Sequence, residues 1–147
     1  MRLDKMTIKL QEALSKAKIY CEQNKQPYIE CEHLLLELLK DRHGIVTGIL
    51  NKTGINLKNL VIQLENCCSK LPNAKKEISQ IQISLTLKSI LNKAFEECSA
   101  MKDEFLNVEH ILLAICENSN SNVARLFFKN GITTRKKNGV NLSFELN

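Results

Sequence analysis

The 147-residue chain is 44% apolar and carries a formal charge of +5. It is long enough for one domain, or for two small halves sharing a core, and too weakly basic for charge alone to indicate nucleic acid. Its six cysteines (Cys21, Cys31, Cys67, Cys68, Cys98 and Cys116) form no C-x-x-C, and no apolar run approaches the length of a membrane span.

The cysteine spacing near the histidines fits no zinc pattern, so the thiols read as reduced, buried and cytoplasmic. Charged residues begin at Arg2, which does not suit a signal peptide. Thr7 stands where a first helix should begin, because its hydroxyl can accept an N–H of the opening turn. Ile8, Leu10, Ala13, Leu14 and Ala17 then recur at helical spacing. After Pro27 a second helix is expected from about Glu32 to Lys40, with Glu32 in the first turn, where the helix dipole favours a carboxylate. A short third helix ends near Lys52, and Gly54 suits the left-handed turn that follows. Leu57, Leu60, Val61, Leu64 and Leu71 stripe one face of a fourth. The segment 72–83 holds Pro72 and polar residues and reads as a linker.

From Ser84 the pattern restarts at an offset of 77 residues. Leu10 maps to Leu87, Leu14 to Leu91, Ala17 to Ala94 and Cys21 to Cys98; Glu32-His33 maps to Glu109-His110, and Gly54-Ile55 to Gly131-Ile132. No gap is needed between Thr7/Ser84 and Ile55/Ile132, which marks an internal duplication. Nothing in the first 130 residues alternates like a strand, so the expected architecture is all-α: repeat one over about 7–71 and repeat two over about 84–134, packed about a pseudo-two-fold axis. The end departs from the repeat. Lys137, Asn138 and Asn141 stand where Leu60, Val61 and Leu64 stood, and Val140, Leu142, Phe144 and Leu146 alternate. Residues 135–147 therefore read as a strand or an irregular, weakly anchored tail. The basic run Arg135-Lys136-Lys137 has no aromatic platform beside it and reads as solvated.

The ordered set "MRLDKMTIKLQEALSKA", "EHLLL", "KLP" and "EHILLAI" resembles the N-terminal domain of Clp-type AAA+ chaperones, nearest the ClpB disaggregases, with ClpC as a close relative. The resemblance reaches to about Thr134. It implies about eight helices in two pseudo-symmetric four-helix repeats. It implies a mobile appendage of a hexameric ring that recognises unfolded or aggregated polypeptides, with stress-response duty and a monomeric isolated domain. The partners implied are those polypeptides, the AAA+ modules of the ring and adaptor proteins, without nucleic acid or membrane. No G-x-x-x-x-G-K-[ST] occurs here. The expectation is therefore a non-catalytic domain without a cofactor of its own, isolated or from a truncated gene, with ATP and magnesium confined to the parent modules.

The resemblance also assigns Thr7, Asp103 and Glu109 to a polypeptide-binding surface. Leu3, Met6, Leu91 and Phe95 are candidates for its apolar floor. In the ClpC-like alternative, Glu32 and Glu109 with Thr7 and Ser84 form two symmetric pockets for an adaptor or a phosphoarginine group, since a carboxylate pairs well with a guanidinium. Each of these residues also has a structural reading: Thr7 as an N-cap, Asp103 and Glu109 as helix-orienting carboxylates, and Leu91 as core. His33 and His110 read as packed side chains, because neighbours at i and i+1 on a helix do not face each other and make no dyad with the adjacent Glu.

Overall fold

The computed structural model describes residues 2–76, 78–118, 121–137 and 141–146. A 3-10 turn over Leu3–Lys5 leads into α1 (Ile8–Gln23), followed by α2 (Cys31–Lys40), α3 (Ile45–Lys52) and α4 (Leu57–Ser69). The second repeat supplies α5 (Leu85–Ala100), α6 (Val108–Glu117) and α7 (Asn122–Lys129). The first three helices of each repeat match end for end at the offset of 77, from Ile8/Leu85 to Lys52/Lys129. Local chemistry explains the shared boundaries. The Thr7 hydroxyl accepts the Leu10 N–H at 3.4 Å, and the Ser84 hydroxyl accepts the Leu87 N–H at 3.0 Å. Gly54 and Gly131, at φ 83° and 80°, turn the chain past α3 and α7.

The expected all-α duplicate holds, with seven α-helices among the described residues; beyond α7 the chain forms β3 (Ile132–Lys137) and β4 (Asn141–Leu146), an antiparallel pair with Ile132 opposite Leu146. The alternation of Leu142, Phe144 and Leu146 suits extended chain, and a helix there would have lacked the apolar stripe that seats α4. β3 lies against α7 and α6, so this backbone is anchored. Val140 falls outside the described residues. The first 130 residues also contain strands: β1 (Tyr28–Ile29) and β2 (Gln82–Ile83) pair in parallel. Two-residue strands are too short to show a period in the sequence.

These small pairings tie the repeats together reciprocally. The Ser84 N–H donates to the Ile29 carbonyl at 3.1 Å. Its repeat mate, the Thr7 N–H, donates to the Leu106 carbonyl at 2.9 Å, and the Leu106 N–H returns to the Lys5 carbonyl at 2.7 Å. Each repeat's helix entry is thus laced to the loop before the other repeat's second helix. The core is equally symmetric. Leu10, Ala13, Leu14, Ala17 and Cys21 form the buried stripe of α1, and their mates Leu87, Ile90, Leu91, Ala94 and Cys98 form that of α5. Between them α2 and α6 are buried almost all round. No described helix is long and apolar enough to cross a membrane.

Candidate polypeptide-binding site

The site grows from two buried histidines. In repeat one the His33 Nδ1 accepts the Glu30 N–H at 2.9 Å, so the proton resides on Nε2, which donates to Gln26 Oε1 at 2.6 Å. In repeat two the His110 Nδ1 accepts the Asn107 N–H at 3.0 Å, and Nε2 donates to Asp103 Oδ2 at 2.8 Å. Both rings satisfy a backbone N–H at a helix start and are oriented by a side chain from the preceding loop. Both ring nitrogens of each histidine are thereby engaged. Burial holds His33 down to about 4.

The Gln26/Asp103 difference follows from α4. The Gln26 amide also donates to the Cys68 carbonyl at the end of α4, at 2.7 Å, and the residue is 2% exposed. A carboxylate has no N–H for that bond. No helix stands in the corresponding place of repeat two among the described residues, and the Asp103 side chain is 48% exposed. The Glu32/Glu109 pair diverges the same way. Glu32 is 6% exposed, and burial raises its carboxyl above the ordinary range, with the Glu30 charge adding to the effect. Glu109 is exposed at the start of α6. Its N–H donates to Asn107 Oδ1 at 2.9 Å, which leaves the carboxylate free of helix-capping duty.

Thr7 meets this open side through its backbone bond to Leu106, which places a half-buried hydroxyl beside the loop that carries Asp103 and leads to Glu109. The mate side is closed. Ser84 is buried, and its hydroxyl donates to the Glu30 carboxylate. Among the floor candidates, Leu3 is exposed and Phe95 half-buried against the core, whereas Met6 and Leu91, at 2% and 1% exposure, lie beneath the surface.

A neighbouring cleft of about 360 Å³ was not evident from the sequence motifs. It opens between α1, the end of α2, the start of α3 and Val108 of α6, with Glu12, Glu37 and Asp41 on its walls. Its one sequence signal is a break in the repeat: those carboxylates align with Ser89, Ala114 and Asn118. Among the described residues, no set of His, Cys, Asp and Glu could hold a metal ion. The cysteines are unpaired, with Cys67 and Cys116 half-buried; burial first of all pushes Cys21, Cys68 and Cys116 up to about 12, away from thiolate chemistry at neutral pH.

Residues 5–130 match the family model described as the Clp repeat (R) N-terminal domain. The chain belongs to this Clp N-domain family. The Clp N-domain is 29% identical over 136 residues to the chaperone protein ClpB of Bacillus anthracis; the match covers 90% of this chain and 16% of that relative. The chain therefore spans about a sixth of the length of the curated relatives it matches. In fold it resembles the Hsp104 N-terminal domain from Candida albicans, with a TM-score of 0.76, 17% identity, and 86% and 82% of the two chains covered. It also resembles a ClpV N-domain solved in complex with a VipB peptide, with a TM-score of 0.71, 22% identity, and 86% and 79% covered.

Proposed function

We propose that this Clp N-domain recognises polypeptide for a ClpB-like disaggregase, holding unfolded or aggregated segments weakly and reversibly for delivery to an AAA+ ring. The observation that carries the reading is the single open rim. Thr7 is joined through its backbone to the loop that carries Asp103 and leads to Glu109, and both carboxylates are solvent-exposed in a repeat that has no fourth helix among the described residues. Carboxylates and a hydroxyl suit the N–H-rich and basic parts of an extended chain. Peptide capture by a ClpV N-domain of the same fold supports this use of the scaffold. The chain needs no cofactor for such binding; ATP and magnesium belong to motor modules, which supply the force.

The two-pocket reading, for an adaptor or a phosphoarginine group, has less support, because Glu32 and Ser84 are buried and the Ser84 hydroxyl is occupied by Glu30. Titration with an unfolded model protein, and separately with phosphoarginine, tests the choice. Glu109→Ala should weaken unfolded-protein binding by roughly fivefold, the worth of about 1 kcal/mol at an interface. Glu32→Ala should leave it nearly unchanged. Equal losses from the two folded variants would replace the single rim by two pockets.

A further inference from the structure

The cleft beside the open rim has a mixed character. Ala13, Leu38, Val46 and Val108 form an apolar floor, with the exposed Ile45 at its edge. Glu12, Glu37 and Asp41 stand around it, against Lys9 and His43. In a chain of formal charge +5, this concavity reverses the local sign. Lys40 pairs with Glu37 at 2.7 Å, and Asp41 accepts the His43 N–H at 3.2 Å. Glu12 has neither ion-pair nor hydrogen-bond partner among the described residues. The scaffold does not require these charges, since repeat two builds the same helices with Ser89, Ala114 and Asn118 at the equivalent positions. Position links the cleft to the rim. Val108 directly precedes Glu109, and Lys9 lies two residues past Thr7, the N-cap of α1. At about 360 Å³ the space suits one or two side chains and not a folded partner.

We infer that the cleft takes an apolar side chain flanked by lysine or arginine, so that the polypeptides this domain selects are cationic as well as apolar. The inference rests on the polypeptide-binding reading above and names the class of segment held. The apolar floor accepts the side chain, and the surrounding carboxylates face its basic neighbours while the main chain crosses the Thr7–Glu109 rim.

The test uses labelled peptides identical except for the residues flanking a central leucine, which are lysine, serine or glutamate, titrated onto the whole chain by fluorescence anisotropy. The lysine peptide should bind about fivefold more tightly than the glutamate peptide, the upper range for solvent-exposed charge pairs. Added salt should narrow the gap. Glu12→Gln combined with Asp41→Asn should nearly abolish it. Asp41 also shapes a turn, so Glu12→Lys, on the exposed face of α1, serves as the second variant and should reverse the preference. Equal affinities for the lysine and glutamate peptides, or a preference untouched by either folded variant, overturn the acidic cleft while leaving polypeptide binding in place. If neither the peptides nor an unfolded protein bind at all, both readings fall.

Discussion

Two repeat mates, Gln26 and Asp103, show how one atom's chemistry separates the halves of this molecule. Gln26 offers an acceptor to His33 and a donor to the Cys68 carbonyl, so it joins α2 to α4 inside the core. Gln26→Ala would strand both partners and should cost about 2–3 kcal/mol in urea unfolding, the penalty for unsatisfied buried groups. Asp103→Asn keeps an acceptor for His110 and should cost less. The pH dependence has a defined sign. His33 in the folded chain is held down to about 4, whereas an unfolded histidine titrates near its ordinary value. The unfolded state then binds more protons in between, so this stability is complete above about pH 6.5 and lost as pH falls through about 4, on the order of 2–3 kcal/mol. His33→Gln should flatten that slope in denaturant titrations across the range. Glu32 acts with the opposite sign. Its raised carboxyl contributes stability below the ordinary carboxylate range and loses it as pH rises through the raised value. Glu32→Gln should therefore melt higher than the parent at neutral pH, with the difference shrinking in acid.

At the scale of the elements, caps and glycines account for the paired helix boundaries. Ser84→Ala removes both the cap on the Leu87 N–H and the bond to Glu30, and should cost about 1–2 kcal/mol. Thr7→Ala should cost less, since its cap bond is longer and its site half-exposed. Two glycines of one region should respond in opposite directions. Gly54 sits at φ 83°, where a Cβ is strained, so Gly54→Ala should destabilise by about 1–2 kcal/mol. Gly48 lies inside α3 with open space around a would-be Cβ, so Gly48→Ala should stabilise by about 0.5–1 kcal/mol. Calorimetry on the pair separates backbone conformation from packing. The absence of a fourth helix from repeat two among the described residues is also an element-scale event: the end of α4 meets Gln26 in repeat one, whereas Asp103 and Glu109 are exposed in repeat two.

The two repeats should unfold as one cooperative unit, because each repeat's helix entry is bonded to the other repeat. The backbone bonds from Thr7 to Leu106 and from Ser84 to Ile29 each cross between repeats, and the α1 and α5 stripes pack into one core. A repeat expressed alone would leave both an entry segment and an apolar face without a partner, and it is too small to compensate. Residues 1–76 and 77–147 produced separately should each give poorly dispersed NMR spectra, and mixing them should restore dispersion. Well-folded separate halves would show that the crossing contacts are dispensable.

The duplication, its offset, the helix caps at Thr7 and Ser84, and the glycines past α3 and α7 were all legible in the chain, because each is set by neighbours a few residues apart and then written twice. The family followed from the same residues. The sequence also placed Thr7, Asp103 and Glu109 together, but only as implied by a resemblance. What tertiary structure decided was exposure. Glu32 and Glu109 each precede a histidine in the first turn of matched helices, yet one is buried and the other open, because α4 and the start of α7, distant in the chain, come close to Glu32. The meeting of Glu12 with Glu37 and Asp41 around a single cleft was likewise invisible to any local pattern, because Glu12 comes from α1 and the other two from the end of α2, and only packing brings α1 beside them.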